Sequence, residues 1–494
     1  MAQEKLGDYR RKRDARRTPE PIPEPVQPAA PAPEGEPDRR SFVIQEHHAT
    51  ALHWDLRLER DGVLVSWALP KGVPPDPRRN HLAVHTEDHP MEYAAFAGDI
   101  PAGEYGGGTM SIWDSGTYET QTWTDREVKF VLHGHRVEGR FTLFKTDQGA
   151  DGRNWMIHRM DAPAKPDWVA LPKLVEPMMA VLSELPPAAE DARWAYELKW
   201  DGERAVVYVE GGRVRALSRN EVDITVSYPE LRLLGEALGV TQVVLDGELV
   251  AFDADGRPSF RRLQERMHVR KAADVRRVAA TVPVTYLIFD VLHLDGRTTL
   301  GLPYTERRAL LEGLGLGGPH WQTTPSFTGG GGDVLEASRQ HGFEGVLAKR
   351  LTSQYRPGRR SPEWRKVKNV RTQEVVIAGW RPGQGRLTGE LGALVLGLHT
   401  DEGFVYCGGV GTGFTAAMRA ALRAKLVKAE RKTPPYDVAI PRERLRELKD
   451  VHWVTPRLVG EVAFAEWTDD GRMRHPTWRG LRPDKSPAEV VRES

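Results

Sequence analysis

The sequence predicts a multidomain α+β chain: a β-rich module, then an α+β core, then a small β-barrel. Three observations carry this expectation. At 494 residues the chain is longer than one hydrophobic core ordinarily supports. Two proline-bearing stretches, residues 18–36 and 161–177, divide it. The apolar pattern changes from closely spaced strand-like runs, to strands alternating with helical stretches, to strands separated by Gly-rich turns.

Residues 1–40 are almost free of large apolar side chains and dense in Pro, Ala and charge, which predicts a flexible, basic and Pro-rich tail. Proline at the density of residues 18–36 forbids helix and sheet pairing, so that stretch reads as a semi-extended linker, with order starting near Ser41. Residues 41–160 carry strand-like runs at 63–69, 110–113, 129–132, 140–144 and 155–158 and form the β module. Residues 161–177 connect it to the core, 178–370, with strand-like runs at 204–209, 242–252, 284–292 and 345–349 and helical stretches at 304–312 and 333–341. The tetraglycine Gly329-Gly330-Gly331-Gly332 falls between elements and reads as a loop. Residues 371–494 form the barrel, with strand signals at 374–378 and 393–397.

Composition narrows the function classes. A hydrophobic share of 39% and 14 Trp belong to a folded protein. The formal charge of +1 requires any polyanion-binding surface to come from segregated Arg and Lys. Tyr9-Arg10-Arg11-Lys12-Arg13 and residues 356–371 are such clusters, either contacting phosphates or forming solvated faces. Cys407 is the sole cysteine, which excludes an internal disulfide and a multi-cysteine zinc site and fits a reducing cytosol. No apolar run of roughly eighteen residues and no signal-like leader is present, so no membrane association is expected. The absence of G-x-x-x-x-G-K-[ST] disfavours a P-loop ATPase.

Lys199-Trp200-Asp201-Gly202 is a K-x-D-G sequence. Alone it reads as a β-turn with an exposed lysine. It is followed in order by Ser218-Arg219-Asn220-Glu221, Leu245-Asp246-Gly247-Glu248, Tyr286-Leu287-Ile288-Phe289-Asp290, Glu344-Gly345-Val346-Leu347-Ala348-Lys349 and Trp364-Arg365-Lys366-Val367-Lys368. His475-Pro476-Thr477-Trp478-Arg479-Gly480-Leu481-Arg482-Pro483-Asp484-Lys485 closes the series. The ordered set resembles the motifs of covalent nucleotidyltransferases. From about Tyr9 onward the chain resembles bacterial ATP-dependent DNA ligases of the ligase D (end-joining) family.

The chemistry agrees with that resemblance. A lysine attacking the α-phosphate of ATP must be deprotonated, so neighbouring cations and partial burial are expected to lower Lys199 from about 10.4 toward neutrality. Phosphoryl transfer then needs cations on the phosphates and a carboxylate-held metal. The resemblance implies an ATP-grasp-like adenylation core and an OB-fold barrel, with Lys199 as the AMP-accepting nucleophile. It implies Glu197 reading adenine, Phe289 stacking on it, and Arg204 and Arg219 on sugar or phosphates. Glu248 and Glu344 would hold Mg²⁺ or the ribose, Lys366 and Lys368 would face the α-phosphate, and Arg482 and Lys485 would orient pyrophosphate. Read alone, Phe289 is a core residue and Glu248 an exposed acid in a D-G-E turn.

In the amino-terminal module, His53 and Asp55 stand two apart and project from one strand face. With His47 they form an imidazole and carboxylate set suited to Mn²⁺ or a similar divalent ion, although histidines on a strand are also commonly structural. Glu87-Asp88-His89-Pro90 and Tyr93 supply a further imidazole and a phenol. Residues 45–59 resemble the 3′-phosphoesterase module of ligase D. That implies His47, His53 and Asp55 as metal ligands, Arg57 and His89 on the phosphate, and parts for Arg13, Asp14 and Glu20, so that part of the tail folds over the site. Glu46 replaces the lysine common in the family and is expected to weaken phosphate binding, and His48 is an added potential ligand.

The expected function is nick sealing through lysyl-AMP, with 3′ ends cleaned first, in double-strand break repair by end joining. Expected partners are DNA ends, a bacterial Ku homodimer and a separate polymerase or primase, since no length remains for that domain. The expected location is the cytoplasm, at the nucleoid. Other readings are an RNA ligase or capping-type guanylyltransferase, and a scaffold that grips DNA ends without hydrolysis.

Overall fold

The structure is a computed structural model describing residues 6–14, 16–22, 39–146, 152–163, 165, 167–369, 371–440, 448–465, 467, 468 and 470–493. Most of the Pro-rich stretch, residues 23–38, lies outside the described residues, as do Ala164 and Pro166 of the second connection.

The amino-terminal module is a barrel. Its strands are β1 (Arg39–His48), β2 (Leu52–Arg60), β3 (Val63–Leu69), β4 (His81–His85), β5 (Gly98–Ile100), β6 (Gly108–Trp123), β7 (Glu127–Gly134), β8 (Glu138–Lys145) and β9 (Asn154–Arg159). They run β1-β2-β3-β4-β9-β8-β7-β6-β5, and β6 returns to pair with β1, closing the ring with β5 outside it. The period of two sorts the faces. Phe42, Ile44, Trp54, Leu56 and Leu58 fill the interior with Trp67 and Phe130, which leaves Gln45, His47, His53, Asp55 and Arg57 on the outer face.

The tail departs from the flexible reading of its composition. Leu6 and Tyr9 are buried in a second cluster with Val63, Leu64 and Tyr93, and Thr18 and Glu20 are also buried. Tyr9 donates to the Pro21 carbonyl at 2.8 Å, bringing Pro21 back beside the helix Gly7–Arg11. The few large apolar residues of the segment, Leu6, Tyr9 and Ile22, all pack in that cluster, and ionic contacts of Arg13 add to them.

The core has two facing sheets. One contains β10 (Met179–Leu182), β11 (Trp194–Lys199) and the strands Phe327–Thr328, Gly345–Arg350 and Arg360–Lys368. The other contains β12 (Glu203–Glu210), β13 (Arg213–Ser218), β14 (Val243–Ala251), β15 (Val284–Leu294) and short strands beyond. On β12, Ala205, Val207 and Val209 pack under the helices Leu231–Leu238 and Ala272–Thr281. Val206 and Tyr208 turn the other way, toward Phe289, Tyr355 and Trp364. The helix Tyr304–Gly313 is pinned to β15 by a buried bidentate pair, Arg307 to Asp290 at 2.7 and 2.9 Å.

Two local expectations are corrected. Only Gly329 and Gly330 of the tetraglycine form a turn, both at positive φ, while Gly331 and Gly332 open the helix Gly331–Gln340. Asp191 accepts from the Gly330 and Gly331 amides, so a carboxylate already satisfies that helix start. D-G-E is not a turn either. It lies within β14, where a side chain at Gly247 would meet the Leu287 carbonyl at 2.6 Å.

The last part has the OB-fold barrel strands Thr372–Pro382, Leu391–Thr400, Gly403–Val410, His452–Val454, Val459–Ala463 and Thr477–Leu481. The helix Ala416–Val427 caps it, its Thr415 hydroxyl accepting from the Met418 amide. Cys407 is buried there, and burial pushes its thiol pKa up.

The first two parts meet at a hairpin. Gly211 and Gly212, at φ +56° and +68°, form the β12–β13 turn. Side chains there would collide with Lys71 and Leu52 of the barrel. Lys71 and Arg79 reach Glu210 at 2.8 and 3.3 Å, and Val240 packs against the barrel core. No helix among the described residues is long and apolar enough to cross a membrane.

Candidate active sites

β11 places Glu197 and Lys199 on one side of the sheet, two residues apart. Antiparallel pairing sets Lys199 opposite Gly345 and Glu197 opposite Leu347. Gly345 sits at φ +152°, and a side chain there would strike the Val367 carbonyl, so glycine lets the strands close and brings Glu344 onto Lys199. Lys199 Nζ donates to the Glu344 carboxylate, whose other oxygen lies 3.6 Å from Lys368 Nζ.

This pairing reverses the expected lysine shift. Burial pushes Lys199 down, but Glu344 outweighs it, joined by Asp201 and Glu248, and the ammonium is held above its ordinary value. The sequence did not reveal that carboxylates rather than cations would be its nearest neighbours. Burial lifts Glu248 to about 7. Burial, then Glu344 and Glu461, raises Asp201.

Phe289 lies between two cations, with Arg204 Cζ and Lys349 Nζ each 4.5 Å from its ring centre. Arg204 donates to both Asp246 oxygens at 2.6 Å and keeps part of its side chain open to the cavity. Lys366 and Lys368 are engaged by an acid that no motif contains, lying 2.8 and 3.4 Å from the Glu493 carboxylate. Burial lowers Lys366 to about 8 despite that partner.

From the OB-fold barrel, Arg482 donates to Asp484 and, at 2.9 Å, to Glu461, while Lys485 is 2.7 Å from Glu374. Arg219 approaches Glu489 at 4.0 Å, and the Asn220 side-chain amide donates to the Asp484 carbonyl. All these expected residues, Glu197, Lys199, Arg204, Arg219, Glu248, Phe289, Glu344, Lys366, Lys368, Arg482 and Lys485, line one cavity of about 550 Å³. Sequence reasoning missed Glu461 and Glu493, which line it, and Tyr304, which reaches it only through its hydrogen bond to Glu197. All three sit outside the recognisable segments and are brought there by tertiary folding. Lys349, inside a recognised segment, was passed over.

On the first barrel, His47 Nδ1 faces His53 Nε2 at 3.2 Å. The Asp55 oxygens lie 3.9 Å from the first and 3.7 Å from the second. His47 Nε2–H donates to the Gly106 carbonyl at 2.8 Å, and His53 Nδ1–H to that of Ala51 at 2.9 Å. These outer bonds fix both tautomers and turn two lone pairs toward each other beside a carboxylate, an arrangement a cation relieves. The three donor atoms lie within 4.8 Å of one another.

Arg57 stands behind this set rather than as an open clamp. It donates to Gln45, Ser66 and Asp55 and lies 2.9 Å from His89 Nδ1. His89 is buried, and burial, then Arg57 and Arg13, drives its pKa well below the ordinary value. The tail closes over it: Tyr9 stacks edge-on at 5.1 Å, and Arg13 bridges Glu20 and Glu87 at 2.7 and 3.0 Å. Tyr93 donates to Glu20, and Asp14 accepts from the Arg16 amide, shaping the turn.

Glu46 and His48 fall on the strand face opposite to His47, His53 and Asp55. Glu46 accepts from His48 at 2.8 Å and from Trp54 at 3.1 Å, near Gly239 of the core. Neither meets the converging nitrogens.

Comparison with known proteins fits this layout. Residues 45–145 match the DNA ligase D 3′-phosphoesterase domain, 172–368 the ATP dependent DNA ligase domain, and 387–485 the ATP dependent DNA ligase C terminal region. The multifunctional non-homologous end joining protein LigD of Mycobacterium bovis is 45% identical over 99% of this chain. The chain belongs to the ligase D family. LigD of Pseudomonas aeruginosa is 34% identical over 99% of the chain. The chain spans 61% and 62% of the length of these two LigD relatives. A solved mycobacterial DNA ligase D complexed with ATP and MES is 41% identical, covering 65% of this chain and 98% of that one, with a TM-score of 0.48.

Proposed function

We propose that this ligase D chain seals DNA nicks with ATP through a covalent AMP on Lys199 and trims blocked 3′ ends at His47, His53 and Asp55. The observation that carries the reading is the convergence, on one cavity, of a half-buried lysine, Lys199, two further lysines and the Arg482–Lys485 segment of the barrel. Lys199 Nζ bonds to the α-phosphorus, the bond to the β-phosphate oxygen breaks, and pyrophosphate leaves beside Arg482 and Lys485. AMP then passes to a DNA 5′-phosphate, and the 3′-hydroxyl displaces it.

Lys366 and Lys368 neutralise the α-phosphate, Phe289 supports the base, and Arg204 and Arg219 hold sugar or phosphates. Glu248 and Glu344 would hold Mg²⁺, which would supply charge neutralisation on the phosphates. In the amino-terminal site, His47, His53 and Asp55 would hold Mn²⁺ or a similar ion, which supplies Lewis acidity, and Arg57 and His89 organise the phosphate side. The proposed boundaries are 1–40 tail, 41–160 phosphoesterase, 161–177 linker, 178–370 adenylation domain and 371–494 OB-fold domain. Broken DNA ends, a Ku homodimer and a separate polymerase are the proposed partners, in the bacterial cytoplasm at the nucleoid.

The test is sealing of a singly nicked duplex with ATP and Mg²⁺, on an all-DNA substrate and on one with an RNA nick. Preferential joining of DNA is expected, and a nick ending in a 3′-phosphate should be joined only once Mn²⁺ is added. No joining of any nick by folded protein refutes the ligase reading.

Glu493 competes with nucleotide phosphate for Lys366 and Lys368. Glu493→Gln is therefore expected to tighten ATP binding roughly fivefold, on the order of 1 kcal/mol, as measured by titration calorimetry.

A further inference from the structure

Glu197 is held from behind by two donors on the same oxygen. Tyr304 Oη donates to Glu197 Oε1 at 2.6 Å, and Lys349 Nζ donates to that oxygen at 2.9 Å. Ser326 Oγ lies 2.8 Å from Tyr304 Oη. A carboxylate only accepts, so the tyrosine proton points at Glu197 and the serine proton at the tyrosine, a chain with one direction. All three of Glu197, Tyr304 and Lys349 are buried.

Lys349 has nowhere else to go. Its ammonium lies 4.5 Å from the Phe289 ring centre, 4.4 Å from that of Trp364 and 3.4 Å from the Phe289 carbonyl. Tyr304 stands on the helix that Arg307 fixes to Asp290. Among the described residues no donor meets Glu197 Oε2, and Glu197 lines the cavity beside Phe289.

We infer that Tyr304 and Lys349 are positioning residues that set base selection, by occupying Oε1 of Glu197 and turning Oε2 to the cavity as a fixed hydrogen-bond acceptor. The inference rests on the proposed nucleotide role of this cavity. An acceptor so placed pairs with the exocyclic amine at position 6 of adenine. It opposes the keto oxygen of guanine, acceptor against acceptor, and gains nothing from a purine with hydrogen at that position. Without Tyr304 the carboxylate is free to rotate and share both oxygens with Lys349, and the preference relaxes.

The test measures covalent labelling of the full chain by ATP, GTP and purine riboside triphosphate, in wild type, Tyr304→Phe, Ser326→Ala and Lys349→Arg, with thermal melts to establish folding. Wild type is expected to favour ATP. Tyr304→Phe should narrow the ATP-to-GTP ratio of kcat/KM by roughly tenfold or more, chiefly through a higher KM for ATP, with Ser326→Ala shifting it less in the same direction. Lys349→Arg, which keeps a cation, should retain more of the preference than Tyr304→Phe. Folded Tyr304→Phe that loses ATP and GTP use equally, with the ratio unchanged, assigns these residues a purely structural role and overturns the inference. Wild type labelled by none of the three nucleotides overturns the nucleotide reading itself, and this inference with it.

Discussion

Lys199→Ala is expected to abolish covalent labelling of the protein by α-labelled ATP and Mg²⁺, a loss of more than roughly ten-thousandfold, because no other nucleophile can replace the one that forms the bond. Denaturing electrophoresis reads it directly. An equal labelled band in the variant would place the AMP on another residue and sink the assignment. The same assay carries a pH signature. The Glu344 contact holds Lys199 protonated, and only the free amine attacks, so the single-turnover rate should climb from about pH 7 to about pH 9. Removing that carboxylate charge with Glu344→Gln lowers the lysine pKa, so its profile should rise at lower pH even if the maximum rate falls. A profile flat over that range would mean that proton loss from Lys199 does not limit the step.

His53→Ala should eliminate removal of a 3′-phosphate from a primer terminus, by at least about 100-fold, since it deletes a donor rather than a partner of a donor. Sealing of a nick that already carries a 3′-hydroxyl should be unchanged, because Lys199 and its cavity belong to other strands. Release of phosphate from an end-labelled primer with Mn²⁺ separates the two activities, and titration of Mn²⁺ into wild type and variant should show the site lost. Full 3′-phosphatase activity in folded His53→Ala would remove His47, His53 and Asp55 from the chemistry. Glu46→Lys, by contrast, should leave that activity close to wild type, because Glu46 points to Trp54 and His48 on the other strand face.

What was legible in the sequence was local. The two-residue period set His53 and Asp55 on one strand face, and the order of motif segments gathered most of the cavity. Ranges such as Val63–Leu69 and the helix beginning at Tyr304 follow from patterning alone. What escaped was long-range. Nothing near Lys199 in the sequence announces Glu344 as its ion-pair partner, 145 residues away. Glu493 meets Lys366 across 127 residues, from a segment with no motif. The composition of the tail is that of a flexible chain, yet Leu6, Tyr9, Thr18 and Glu20 are buried, so a few well-placed residues seat what the average predicts to be free. Glu46 and His48, which depart from the family pattern, share the strand face turned away from His47, His53 and Asp55.

The Gly211-Gly212 hairpin turn, pressed against Lys71 and Leu52, has a consequence for dividing the molecule. Cutting the backbone within residues 161–177 would not release two finished parts. The barrel fragment would bare Leu52 and Trp54, and the ligase fragment would bare Val240 and leave the Glu210 carboxylate without its lysine and arginine. Each half would carry a sticky scar. The seam makes the barrel and the adenylation core neighbours in stability as well as in sequence.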